Sequence, residues 1–170
     1  KNNSFLTTEE FGKPILATRN EKGEFKAYAN VCSHRGVIVE GEKRGEKSRF
    51  SCPFHGWTFS NEGSLVGYPK SDQFGEIDKD CYGLKELPAL EKHGFLWVHP
   101  SEEGEINLKE LLGSKLIEEF SSWSFDELVL GNEENYVTDM NWKLAIDTFG
   151  ETYHFSVLHK DSLFQSFHGN

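Results

Sequence analysis

Two short segments carry residues able to bind metal: Cys32-Ser33-His34-Arg35-Gly36 and Cys52-Pro53-Phe54-His55-Gly56-Trp57. They form a Cys-x-His and a Cys-x-x-His pair with 17 residues between them. Either spacing lets one loop present two donors to one centre, and Gly36, Pro53 and Gly56 supply the tight turns such loops need. Two thiolates and two neutral imidazoles match a two-iron, two-sulfide cluster, with the thiolates on one iron and the imidazoles on the other. The same four residues also suit a structural Zn2+, for which Cys2His2 sets are common. Zinc knuckles usually pair Cys with Cys and His with His, so the mixed pairs favour the iron cluster. Chance association of buried Cys and His is the third reading.

A second group lies near the end: Asn141-Trp142-Lys143-Leu144-Ala145, then Asp147, then Glu151-Thr152-Tyr153-His154, with His159 five residues later. Two His at this distance are more often surface or core residues than ligands. Five residues turn about 140° on an ideal helix, so a straight helix does not aim both rings at one point. The helix must end or loosen near Phe155-Ser156-Val157 for His154 and His159 to converge. Cys81 has no partner at ligand spacing and reads as a free structural thiol. His93, His99 and His168 are expected to be structural.

The first hundred residues read as short strands that would carry the two Cys/His loops. Pro14–Thr18 and Glu24–Ala29 alternate like strands and are joined at the Asn20-Glu21-Lys22-Gly23 turn. Phe50-Ser51, Trp57-Thr58-Phe59 and Ser64-Leu65-Val66 continue the pattern, the last two as a hairpin about Asn61-Glu62-Gly63. Gly94-Phe95-Leu96-Trp97-Val98 is the strongest strand signal and is expected to be buried. After Pro100 the character changes. Leu108, Leu111, Leu112 and Leu116 predict a helix over 107–120, and 127–138 is rich in strand formers. Trp142, Ala145, Ile146, Phe149 and Tyr153 predict a second helix from Asn141 to about His154. The fold expected is mainly β with antiparallel sheets, followed by an α+β segment; the boundary lies near Glu103.

The composition admits a real core, 36% hydrophobic and 14% aromatic. A net charge of -10 disfavours nucleic acid and anionic membrane as partners, which such a surface repels. No apolar run reaches the roughly 18 residues of a membrane span, and no apolar signal core follows Lys1. Three Cys fit poorly with a secreted disulfide framework. The cytoplasm is the expected location.

The two Cys/His loops resemble those of the Rieske family, and the whole chain is similar to the Rieske non-haem iron, ring-hydroxylating oxygenases. The resemblance implies a Rieske [2Fe-2S] domain over 1–103 and the N-terminal part of a catalytic domain over 104–170, with Cys32, His34, Cys52 and His55 as cluster ligands. Respiratory members carry an extra Cys in each loop; Val37 and Phe54 stand there in this chain, so that disulfide is excluded. Two hydroxyls that raise respiratory potentials match Trp57 and Phe59, which predicts a potential near the low end, about −150 mV. The Asn-Trp-Lys segment implies that His154 and His159 bind a mononuclear Fe(II). Glu151 falls where the family bridges a neighbouring subunit's cluster to this iron, and Asp147 is a supporting residue. The third ligand implied is a carboxylate far downstream, since Asp161 follows His159 too closely, and the substrate pocket would also lie beyond Asn170. The chain therefore reads as a piece of an oxygenase α subunit, clipped at both ends and inactive by itself. The implied partners are a ferredoxin or reductase donor, O2, an aromatic organic substrate and other copies in a trimer. The alternative is a Rieske-type, ferredoxin-like electron carrier without oxygenase chemistry, which predicts a chain ending soon after Val98.

Overall fold

In the computed structural model, residues 1–129 and 131–167 are described; His168 lies outside them. Alternation within three consecutive segments sorts their side chains onto two faces. Phe5 of β1 (Ser4–Thr8), Leu16 of β2 (Ile15–Arg19) and Tyr28 of β3 (Phe25–Ala29) face one core; Ile15 and Ala27 face another. The β2–β3 hairpin turns where Asn20 and Gly23 predict it, with the Asn20 side chain accepting from Lys22 N at 2.9 Å and Glu24 N at 3.0 Å. β4 (Arg44–Glu46) and β8 (Glu86–Leu87) complete an antiparallel sheet ordered β4-β1-β2-β3-β8.

A second antiparallel sheet is ordered β5 (Arg49–Ser51), β6 (Thr58–Ser60), β7 (Leu65–Gly67), and β6–β7 is the expected hairpin. Phe50 pairs with Phe59, Phe59 with Leu65, and all three are buried. They meet Phe5, Leu16 and Tyr28 in one cluster, with Phe5 edge-on to Phe50 at 5.3 Å. This aromatic core is the floor under both Cys/His loops, because Cys32, Cys52 and Trp57 belong to it.

β9 (Ala89–Lys92) and β10 (Phe95–Val98) form a separate two-stranded ribbon. The strand at 95–98 is present, but it is not buried: Phe95 is 37% and Leu96 39% exposed. β10 has β9 as its one neighbour, and its cover comes from single rings, Phe120 at 5.2 Å and Phe125 at 4.9 Å from Phe95. Helix α1 (Leu108–Ser122) starts where Asn107 Oδ1 accepts from Glu110 N at 3.2 Å. Gly113, at φ 72° and ψ 162°, breaks it into two pieces.

Residues Lys1–Val129 form one compact unit and Leu130–Asn170 another; composition shifts earlier, near Glu103. The strand-rich composition at 127–138 forms no strand among the described residues, where the segment is extended and exposed. A strand needs a neighbour to satisfy its backbone, and none pairs here. Helix α2 (Trp142–Phe149) is capped by Asn141 and closed by Gly150 N donating to Ile146 O at 2.8 Å, so it stops short of His154. No described helix is long and apolar enough to cross a membrane.

Candidate metal centre

Cys32 and Cys52 each begin a turn of the same construction. Cys32 N donates to Val37 O at 2.8 Å and Gly36 N to Cys32 O at 2.9 Å; Cys52 N donates to Trp57 O at 2.8 Å and Gly56 N to Cys52 O at 2.9 Å. Gly36 and Gly56 take φ of 75° and 71°, a region that side chains rarely adopt. The first loop leaves the end of β3 and the second joins β5 to β6. Asn30, 2% exposed, staples the base of the first: its amide donates to Glu40 O at 2.8 Å and accepts from Glu40 N at 3.0 Å.

The loops bring all four predicted donors together. Both thiols are buried, and the His34 and His55 rings lie 4.8 Å apart between centroids. His34 is half-buried and stacks on Trp57, while His55 is exposed. Burial pushes the Cys32 thiol up, only partly offset by the His34 amide, and Cys52 beside it pushes further. Burial also lowers His34, helped by His55 and Arg35, so this imidazole is held neutral and ready to ligate. Metal loading at such a site displaces thiol protons. Among the described residues no three His, Cys, Asp or Glu side chains are grouped to hold a single ion. The four donors are two pairs, a layout suited to two irons with two protein ligands each.

In the second unit the convergence that His154 and His159 required is met by an early end to the helix. After Gly150 the chain makes a single 3-10 turn, Tyr153–Ser156, and Leu158 N returns to His154 O at 2.8 Å. The two rings then lie 5.3 Å apart at 62°. Glu151 accepts from His154 Nδ1 and from the amides of Tyr153 and His154, and the His154 contact holds its carboxyl below the usual range. With Nδ1 engaged, His154 is left Nε2 for a metal. Asp147 is exposed on α2 and makes no side-chain bond among the described residues; Asp161 is also exposed.

Residues 1–89 match the family described as the Rieske [2Fe-2S] domain. The chain belongs to the Rieske family. Residues 125–170 further match the ring-hydroxylating alpha subunit catalytic domain. Toluate 1,2-dioxygenase subunit alpha of Pseudomonas putida is 36% identical over 165 residues, covering 92% of this chain and 36% of that protein. A quaternary ammonium Rieske monooxygenase solved with L-carnitine superposes with a TM-score of 0.77 at 28% identity, covering 94% of this chain and 46% of the other. Naphthalene 1,2-dioxygenase with indole bound gives 0.77 and 28%, covering 97% and 38%. The chain spans about a third of the length of the curated relatives it matches.

The Rieske cradle fits the cluster that its family carries. His34 Nδ1 is a buried polar atom with no partner, which a metal bond would satisfy, and the two buried thiols lie in contact with the same core. Two features went unread in the sequence. Asn30 precedes Cys32 by two residues without any ligand character, and the Trp57–His34 stack joins residues of different loops. Cys81 is exposed and donates to Asp78 Oδ2 at 3.4 Å, which agrees with a free thiol.

Proposed function

We propose that this chain is the Rieske domain and the start of the catalytic domain of an oxygenase α subunit, with the division near Glu103, that hydroxylates an aromatic substrate. The observation that carries the reading is the pairing of two buried thiols with two adjacent imidazoles on hydrogen-bonded loops of one design. Cys32 and Cys52 would hold one iron of the cluster, His34 and His55 the other, and His154 with His159 a mononuclear Fe(II). When bound, the cluster supplies one-electron transfer, and the mononuclear iron supplies O2 activation.

The chain's own residues prepare these sites. The aromatic floor excludes water from the thiol side, while exposed His55 gives a partner access to the cluster edge. Glu151 fixes the proton of His154 on Nδ1. Each carboxylate oxygen has a second lone pair, and the side chain is 44% exposed, so Glu151 also has capacity to accept from a neighbouring copy's imidazole. That supports its role as an intersubunit bridge in a trimer, with a ferredoxin or reductase as electron donor. Asp147, one turn before Glu151, would support the iron from solvent. Toluate and naphthalene as the named substrates of similar proteins support an aromatic substrate. A carrier without oxygenase chemistry is disfavoured by the catalytic-domain match at 125–170.

The test is anaerobic purification with iron and sulfide counted and EPR recorded before and after dithionite. A red-brown protein with a rhombic, low-average-g signal, lost in Cys32→Ser, is expected; colourless protein containing zinc and no sulfide overturns the reading. For the second site, Glu151→Ala should weaken Fe(II) binding about 10–100-fold by calorimetry, because His154 loses the partner that sets its tautomer.

A further inference from the structure

Trp57 serves the cradle in two separable ways. Its carbonyl closes the second loop by accepting from Cys52 N at 2.8 Å. Its indole lies face to face with His34 of the first loop, centroids 4.8 Å apart and planes within 6°. The indole is 2% exposed and is bracketed by Tyr68 at 5.4 Å, Tyr82 at 5.6 Å and Phe74 at 6.1 Å. Its own orientation is therefore fixed on several sides.

Imidazole ligands are ordinarily oriented by a hydrogen bond from the second ring nitrogen to a carboxylate, a carbonyl or water. Glu151 does this for His154. For His34 no protein side-chain hydrogen bond exists among the described residues, and Nδ1 is sealed from solvent without a partner. The Cβ–Cγ torsion of such a ring is broad and weakly determined by itself. A parallel indole at van der Waals separation removes that freedom, because rotation about Cβ–Cγ drives the ring edge into the indole face. His55 has no comparable guide: it lies tilted at 38° against Phe54, which is itself 62% exposed.

We propose that Trp57 is a positioning residue for the Rieske centre, its stacked indole setting the plane of the His34 imidazole in place of a hydrogen bond. The proposal rests on His34 being a cluster ligand, as argued above. It also links the loops in one direction: the residue that closes the second loop orients a donor of the first.

The experiment uses the full chain, reconstituted with iron and sulfide, as wild type, Trp57→Phe and Trp57→Leu. Phe keeps a flat ring; Leu keeps apolar bulk without a plane. The readouts are the nitrogen hyperfine couplings of the reduced cluster by pulsed EPR and the rate of iron loss to a chelator. Wild type and W57F should give two sharp nitrogen couplings. In W57L one coupling should shift or broaden while the other stays, and iron loss should quicken about tenfold. A purely structural role, acting through loop closure by the backbone carbonyl, leaves both couplings in place in all three. Unchanged couplings in W57L with iron bound overturn the proposal and spare the cluster assignment. Wild-type chain that takes up no iron and sulfide overturns the assignment and the proposal with it. Should W57L not fold, Phe74→Leu gives the second reading: this exposed ring brackets the indole, and its loss should broaden the same coupling by less. Couplings identical to wild type in F74L then overturn the proposal.

Discussion

Ser33 lies between two candidate ligands, yet its hydroxyl donates to Tyr82 O at 2.6 Å, away from its neighbours' donor atoms. Thr58 Oγ1 donates to Gly56 O at 3.1 Å and shares a 2.8 Å bond with Ser51 Oγ. These hydroxyls are engaged by protein, and Trp57 and Phe59 bring buried carbon where respiratory relatives bring O–H. Hydrogen bonds to cluster sulfurs stabilise the reduced, more negative state, so their replacement by rings lowers the potential. An EPR-monitored redox titration should place the midpoint near about −150 mV, the low end of Rieske potentials; a midpoint above 0 mV would show donors that this cradle does not contain. The four candidate ligands were legible because thiolates and imidazoles at loop spacing have few other uses. The Trp57–His34 stack was not, since nothing local in either loop encodes the distance between them.

Gly63 shows how an element boundary is fixed by packing. It turns the β6–β7 hairpin at φ 79°, and a Cβ there would stand 2.4 Å from Tyr28 Cε1 and 2.9 Å from Cζ. Tyr28 is 1% exposed and cannot retreat. Gly63→Ala should therefore lose about 2–3 kcal/mol in chemical denaturation, from overpacking joined to backbone strain. The turn was legible as Asn-Glu-Gly; the ring above it was not. The β9–β10 ribbon is a second case. Its apolar run predicted burial, but a run of strand formers does not say how many neighbours a strand will find. What ties the ribbon to β2 is Arg19, whose Nη1 donates to Glu91 Oε2 at 2.7 Å, with a second contact from Nη2. The Arg19 bond holds the Glu91 carboxyl below its ordinary range. A lowered folded pKa gives stability that is present above the unfolded carboxylate value, about 4.3, and lost as pH falls through the folded value. Glu91 is 44% exposed, so solvent screening limits the effect to about 0.5 kcal/mol. Denaturation midpoints from pH 6 to pH 3 should fall slightly less steeply in Glu91→Gln than in wild type; an identical slope would remove the pair from the stability of the ribbon.

The two compact units differ in how much of their stability is internal. Every fully buried side chain among the described residues lies in Lys1–Val129; in 131–167 none does, and Phe149, Tyr153 and Val137 are 90%, 92% and 100% exposed. Apolar burial is the main force opposing chain entropy. An eight-residue helix such as α2 is marginal without packing, whatever its caps. Hydrogen exchange should therefore separate the units. Amides of β2 and β3 should be protected to the level of global unfolding, and those of 131–141 should exchange near the unprotected rate. Reconstitution with iron and sulfide should slow exchange in 32–37 and 52–57, where the Cys turns hold the amides, and leave 131–167 unchanged. Anaerobic Fe(II) added afterwards should slow exchange at 153–159 alone, because ligation of His154 and His159 would tie the 3-10 turn that brings them together. Uniform protection across 131–167 before any metal is added would show that this unit is ordered by forces other than those its buried surface supplies.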